Sequence, residues 1–119
     1  MAGILVIAET ADGALAPISG ELLGAARGLS DAGGGDVSAF VAGDGLGDAL
    51  ISLGADKVFA GTSPALSDGV AAVLLPAVNA AIEQSGANIV LMGQTSLGRD
   101  LGPALAFAFW IVLLFSWQG

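Results

Sequence analysis

Runs of consecutive apolar residues alternate along this chain with stretches whose apolar positions recur every three or four residues. The first run, Ile4-Leu-Val-Ile-Ala8, is rich in β-branched residues and has no polar face, the pattern of a strand buried on both sides. Asp12 and Gly13 mark a turn after it. Ile18, Leu22, Ala26 and Leu29 then fall on one helical stripe, widened by Leu23 and Ala25, and Gly33-Gly-Gly35 breaks the chain. Val37–Ala42 reads as a second strand. The loop Gly43-Asp-Gly-Leu-Gly47 enters a short helix with Leu46, Ala49, Leu50 and Leu53 on one side and Gly54 as its stop. Residues 57–60 form a third strand. Asp68 is the expected N-cap of a helix whose stripe is Val70, Val73, Leu74, Ala77, Val78, Ala81 and Ile82. Pro76 inside that stripe predicts a kink, or a start nearer to Pro76. Asn88-Ile-Val-Leu-Met92 is the fourth strand, and Gly98-Arg-Asp-Leu-Gly-Pro103 opens the last helix.

Strands alternating with helices specify an α/β fold, an open parallel sheet in three layers with helices on both faces. The expected order is third–second–first–fourth strand, with helices at about residues 18–30, 44–53, 66–84 and 98–115. At 119 residues there is room for one domain, and neither a repeat nor a linker interrupts it. A hydrophobic content of 55% excludes an intrinsically disordered chain.

Charge and residue usage narrow the chemistry. The net charge of −8 removes nucleic acid as a partner, because phosphates need a basic face, and no polybasic segment is present to hold an anionic membrane. Without Cys or His there is no disulfide, thiol catalysis, usual zinc site or histidine base. The start of the chain has no basic n-region and no Arg-rich transit segment, so a bacterial cytoplasmic location is expected.

The loop Gly93-Gln-Thr-Ser-Leu-Gly98 runs from a strand end into a helix start, where free N–H groups attract anions. Gly93, Ser96, Gly98 and Arg99 are therefore the candidates for an anion site, against the plainer and preferred reading that Arg99 and Asp100 are structural or interfacial. Gly43-Asp-Gly-Leu-Gly47 is not a dinucleotide loop: its spacing differs, and it follows the second strand rather than the first. Glu9 and Asp12 lie where ligands of such sheets gather, but two acids repel a phosphate, so a solvated loop is expected. Ser96 lacks both a nucleophile-elbow context and a His partner. No catalytic residue and no metal-ligand set is expected.

The order of several segments resembles the alpha subunit of electron-transfer flavoproteins, the FixB family. They are Ile4-Leu-Val-Ile-Ala-Glu9, Ala25-Ala-Arg27, Gly54-Ala-Asp-Lys-Val58 and Thr95-Ser-Leu-Gly-Arg-Asp-Leu-Gly-Pro103. The last is the most specific, and the resemblance covers roughly residues 3–106. It implies an electron carrier rather than an enzyme, a subunit of an FAD-containing heterodimer formed with a beta subunit. It also implies electron transfer from flavin dehydrogenases, such as the acyl-CoA dehydrogenases of fatty acid β-oxidation, to a quinone reductase. In that family FAD is held mainly by a second, C-terminal domain of the alpha subunit, and AMP belongs to the beta subunit. No family flavin-binding residue maps onto this sequence. The fold implied is Rossmann-like, of the adenine nucleotide alpha hydrolase and universal-stress-protein kind.

Residues 1–106 are thus expected to be the N-terminal α/β domain, incomplete on its C-terminal side and lacking the FAD-binding domain. Residues 107–119 form a tail that departs from the family pattern. Both Trp and three of the five Phe fall within it, and from Leu101 to Trp117 there is no charge. That run is shorter than the roughly 20 residues of a membrane span. The tail is expected to reflect a frameshift, a premature end or a gene-prediction error, ahead of a membrane anchor or an ordinary core helix. It is also expected to leave the fourth strand as a bare sheet edge and the chain prone to aggregate. The alternative function is a free-standing nucleotide-binding module of the universal-stress-protein type. Its phosphate loop, G-x-x-G followed about nine residues later by G-[ST], fails here because Gly102 is followed by Pro103 and Ala104.

Overall fold

A computed structural model of the protein describes residues 3–63, 66, 70–93, 95–108 and 112–116. The strand β1 (Ile4–Ile7) is fully buried and lies at the centre of a five-stranded sheet. The other members are β4 (Val37–Ala42), β5 (Lys57–Gly61), β6 (Ile89–Gly93) and β7 (Val112–Ser116), in the order β5-β4-β1-β6-β7. All four ladders are parallel. A two-residue turn at Asp12 and Gly13 joins the short antiparallel strands β2 (Thr10–Ala11) and β3 (Ala14–Leu15). Both turn residues have positive φ, 54° and 80°, as a tight hairpin demands and as an Asp-Gly pair supplies.

Helices cover both faces. Alternate residues of the central strands point to opposite sides. Ile4 and Val6 enter a core with Ile18, Leu22, Leu23 and Ala26 of α1 (Pro17–Leu29) and Leu50 of α2 (Gly47–Ser52). Leu5 and Ile7 enter the other, with Leu74, Val78 and Ile82 of α3 (Ala71–Ser85) and Leu101 of α4 (Ser96–Ala108). The expected order of the first four strands holds, with β1 interior.

Several boundaries and faces differ from expectation. α3 begins at Ala71, flanked by Val70 in extended conformation, so the helix starts nearer to Pro76 than residue 66. Asp68, the expected N-cap, lies outside the described residues. Val70 and Val73 are half exposed, because the stripe turns into the core only from Leu74 onward. On α2 only Leu50 is buried, and Leu53 faces solvent together with Ile51. Ala25 of α1 is exposed, and the buried flank carries Ser19 instead.

The largest correction concerns the end of the chain. The last helix, expected to reach residue 115, ends at Ala108, and Val112–Ser116 pairs in parallel with β6, Ile89 opposite Val112. A bare β6 would present a row of unpaired backbone donors and acceptors, and the β-prone Val-Leu-Leu-Phe segment supplies their partners. β6 is therefore not an edge, because β7 pairs along its far side.

A clasp at the opposite end of the strands joins two segments that are far apart in sequence. Arg27 of α1 donates to the Gly54 carbonyl (2.9 Å) and to Oδ2 of Asp56 (3.0 Å). Asp56 Oδ2 also accepts the Val37 N–H (2.9 Å), and the Asp56 N–H donates to the Val37 carbonyl (2.7 Å). Ala25-Ala-Arg27 and Gly54-Ala-Asp-Lys-Val58 are thus two halves of one contact that locks α1 to the starts of β4 and β5. The Val37 N–H holds the Asp56 carboxyl below its ordinary value of 3.8 against an opposing push from burial, and the Arg27 guanidinium adds to the lowering. The ion pair is well exposed, so its charge term contributes little beside the backbone bonds.

Gly54 has φ 128°, and an added Cβ would lie 2.8 Å from Cγ of Arg27. Gly54→Ala is therefore expected to lower stability by roughly 1–3 kcal/mol in chemical denaturation. Gly28→Ala, exposed in α1 with open space around it, should raise stability by about 0.5–1 kcal/mol. A neutral Gly54→Ala would show that the clasp yields freely. Because the folded Asp56 value lies below the unfolded one, its contribution is complete above 3.8 and is lost as pH falls through the lower folded value. The gap in melting temperature between wild type and Asp56→Asn should hold steady down to about pH 4 and close below it. A gap that widens in acid would contradict this assignment.

Candidate functional site

In an open sheet of this order, ligands collect outside the carboxyl ends of the strands, where the chain direction around the sheet reverses. Here that point lies between β1 and β6. Glu9 leaves the end of β1, and Thr95 leaves the end of β6. The Thr95 hydroxyl donates to Oε2 of Glu9 at 2.7 Å, bridging the crevice.

Both ends of this bridge are fixed by their neighbours. Ser19, fully buried in α1, accepts the Glu9 N–H through its hydroxyl and donates to the Glu9 carbonyl, each at 2.9 Å. The Ala16 N–H donates to the same carbonyl at 2.8 Å. Thr95 flanks the start of α4, and its Oγ1 accepts the Gly98 N–H at 3.2 Å, an N-cap bond to the third helical residue. The hydroxyl thus uses its acceptor on the helix start and its donor on the carboxylate. A negative charge placed beside a helix N-terminus is electrostatically favourable.

The candidate anion site falls at this same place. Gly93 ends β6, Ser96 opens α4, and Gly98 and Arg99 follow in its first turn. A Cβ on Gly93 would stand 3.0 Å from Cγ1 of Ile18, 3.2 Å from Cγ2 of Thr95 and 3.3 Å from Oε2 of Glu9. A Cβ on Gly98 would collide with the Gly93 carbonyl. These glycines serve close packing of the chain on itself, and the space beside them holds Glu9 and Thr95. Arg99 is exposed and its Nε donates to the Thr95 carbonyl at 3.3 Å. Gln94 lies outside the described residues.

The other sequence candidates stand apart. Asp12 is exposed at the hairpin tip. The Gly43–Gly47 loop follows β4, where Asp44 accepts its neighbour's N–H, from Gly45, at 2.9 Å. Gly102 and Pro103 lie inside α4 rather than in a phosphate loop. Among the described residues no group of three or more metal-ligating side chains comes together. No helix among them is long and apolar enough to cross a membrane.

Sequence reasoning did not single out Ser19 or Thr95. The signal for Ser19 was present: a hydroxyl next to Ile18 on the apolar stripe of α1 needs a buried partner. For Thr95 the signal was a capping residue immediately before a helix. Neither pattern names Glu9 as the partner, because residues 9 and 95 meet only through the sheet.

The fold and this crevice define a doubly wound α/β domain with its own carboxylate at the place where ligands of such sheets collect. The chain belongs to the electron transfer flavoprotein family, whose model, described as Electron transfer flavoprotein domain, matches residues 4–109. It is 38% identical over 107 residues to the electron transfer flavoprotein subunit alpha of Megasphaera elsdenii, covering 87% of this chain and 32% of that protein. The corresponding subunit of Bacillus subtilis is 33% identical over 106 residues, with the same coverage of both chains. A subunit of the lactate dehydrogenase (NAD(+),ferredoxin) of Acetobacterium woodii, LctC, is 33% identical over 107 residues, covering 87% of this chain and 26% of that protein. The chain thus spans about a third of the length of the alpha subunits it matches.

The crevice does not fit the flavin that the family name implies. A dinucleotide pyrophosphate needs free N–H groups and close backbone approach at the helix start. Here the Gly98 N–H is taken by Thr95, and the Glu9 carboxylate would repel the phosphates.

Thr95→Val removes both the cap and the partner of Glu9. It should lower stability by ~1 kcal/mol or more in urea denaturation, with Thr95→Ser close to wild type. Equal stability of Thr95→Val and wild type would show that the bridge contributes nothing to holding α4.

Proposed function

We propose that this chain serves as alpha-subunit sequence of an electron-transfer flavoprotein, in a bacterial cytoplasm. In this reading it pairs with a beta subunit in a heterodimer that carries electrons from flavin dehydrogenases, such as acyl-CoA dehydrogenases of fatty acid β-oxidation, to a quinone reductase. Residues 4–109 act as a scaffold and subunit surface, with no catalytic residue of their own. FAD is held by other sequence of the carrier, and AMP by the beta subunit. The observation that carries this reading is the family match over residues 4–109, taken with a crevice that holds Glu9 instead of a phosphate cradle.

The universal-stress-protein reading requires a phosphate loop after β6. At the corresponding place Gly102 and Pro103 are helical, so no observation favours it.

Two measurements test the proposal separately. The purified chain, desalted after exposure to FAD, should show no flavin absorption, and a yellow protein would overturn the assignment of the flavin to other sequence. Co-expressed with a family beta subunit, the chain should retain it on an affinity column. Failure to retain it would overturn the scaffold-and-surface role while leaving the flavin result standing.

A further inference from the structure

We propose that Asp44 is a site of spontaneous covalent modification: its carboxyl closes a cyclic imide on the Gly45 nitrogen, which reopens to an isoaspartyl linkage.

Asp-Gly pairs stand at residues 12–13, 44–45 and 68–69. The glycine matters because it places no side chain beside the attacking nitrogen. Residues 68–69 lie outside the described residues. The fold holds the other two pairs in different ways.

Asp44 and Gly45 are exposed in the loop between β4 and α2, outside any ladder or helix. The Gly45 N–H donates to Oδ1 of Asp44 at 2.9 Å. Cγ is one bond from that oxygen, so the nitrogen and the carbon that must join already lie close to contact. Gly45 has φ 77°, and a Cβ there would meet nothing within 4 Å, so space for the ring is open. The loop is anchored only at its ends. The Gly43 N–H donates to the Gly61 carbonyl at 3.0 Å, and α2 begins at Gly47.

Asp12 and Gly13 are equally exposed, but they are the two central residues of a tight hairpin turn. Both have positive φ, and Ala11 pairs with Ala14 directly across them. Closing the ring turns the next nitrogen to the same side as Cβ about the Cα–C bond. A two-residue turn resists that rotation, because the flanking pair must break to allow it.

The reaction needs nothing but water. The Gly45 nitrogen attacks Cγ of the protonated Asp44 carboxyl. The N–Cγ bond forms, the Cγ–OH bond breaks, and the hydroxyl leaves with the nitrogen's proton as water. Water then adds at the main-chain carbonyl carbon of Asp44 and breaks its bond to nitrogen, restoring the atoms lost. Nothing is oxidised or reduced. The main chain now runs through Cβ, one atom longer, and the former main-chain carbonyl is a free carboxylate. The added atom falls between the Gly43 anchor and α2, whose Leu50 packs in the core. This proposal stands independently of the flavoprotein reading.

The full chain is incubated in mildly acidic buffer, once folded and once in denaturing urea, and then digested. Isoaspartate in each peptide is read by electron-based fragmentation, which separates the two linkages, and by enzymatic methylation of isoaspartyl carboxylates. The folded chain should accumulate several times more isoaspartate at position 44 than at position 12, and in urea the two should become similar. Asp44→Glu, which could close only a larger and slower-forming ring, should remove the product from that peptide and leave position 12 unchanged. Position 12 reacting as fast as position 44 in the folded chain would overturn the proposal. So would an unchanged preference in urea, since the preference would then belong to local sequence and not to the fold.

Discussion

The hydrogen bond from Thr95 to Glu9 spans the point where an open α/β sheet ordinarily receives its ligand. Its consequences reach both halves of the fold. The Glu9 backbone is held by Ser19 of α1, its carboxylate accepts from Thr95, and Thr95 caps α4, so helices on opposite faces are joined through one residue at the sheet's end. The same bond places a negative charge where a phosphate would sit, and the bare glycines of the β6–α4 loop accommodate that packing. A scaffold that elsewhere serves for nucleotide binding is here closed on itself.

The other end of the strands is held differently. Arg27, Gly54, Asp56 and Val37 form a clasp built mostly of bonds to the backbone, and this matters because the ion pair within it is solvent-exposed. The main consequence is register: the reciprocal bonds between Val37 and Asp56 start the β4–β5 ladder one residue before Ser38 meets Lys57. Two segments that carried the family resemblance are thus explained by a single contact, while a third, around Thr95, is explained by the crevice bridge.

Much of the fold was legible because parallel strands buried on both faces are written as unbroken apolar runs. Ile4-Leu-Val-Ile-Ala8 and Val37–Ala42 could be little else, and alternation with helical stripes then restricts the order. The misreadings have a common cause. Apolar runs near helices carry no direction of their own, so Val70, Val73 and Leu53 were assigned to cores that they only border. Val112–Ser116 follows a helix without a break in its apolar run, so the local pattern extends the helix over it, and only the pairing with β6 makes it a strand. The crevice was less legible. Its location follows from topology, and Glu9 is legible as a charge hostile to phosphate. Its bond to Thr95 depends on a contact across 86 residues of sequence, which no local pattern encodes.

The central claim is that the chain's own side chains, Glu9 and Thr95, bridge the crevice between β1 and β6. An amide-resolved NMR titration of the labelled protein with AMP tests this most directly. The account predicts that the Glu9, Gly93, Thr95 and Gly98 amides keep their shifts at saturating ligand. Saturable shifts confined to those amides would show that the bridge opens to admit a phosphate, and would contradict it.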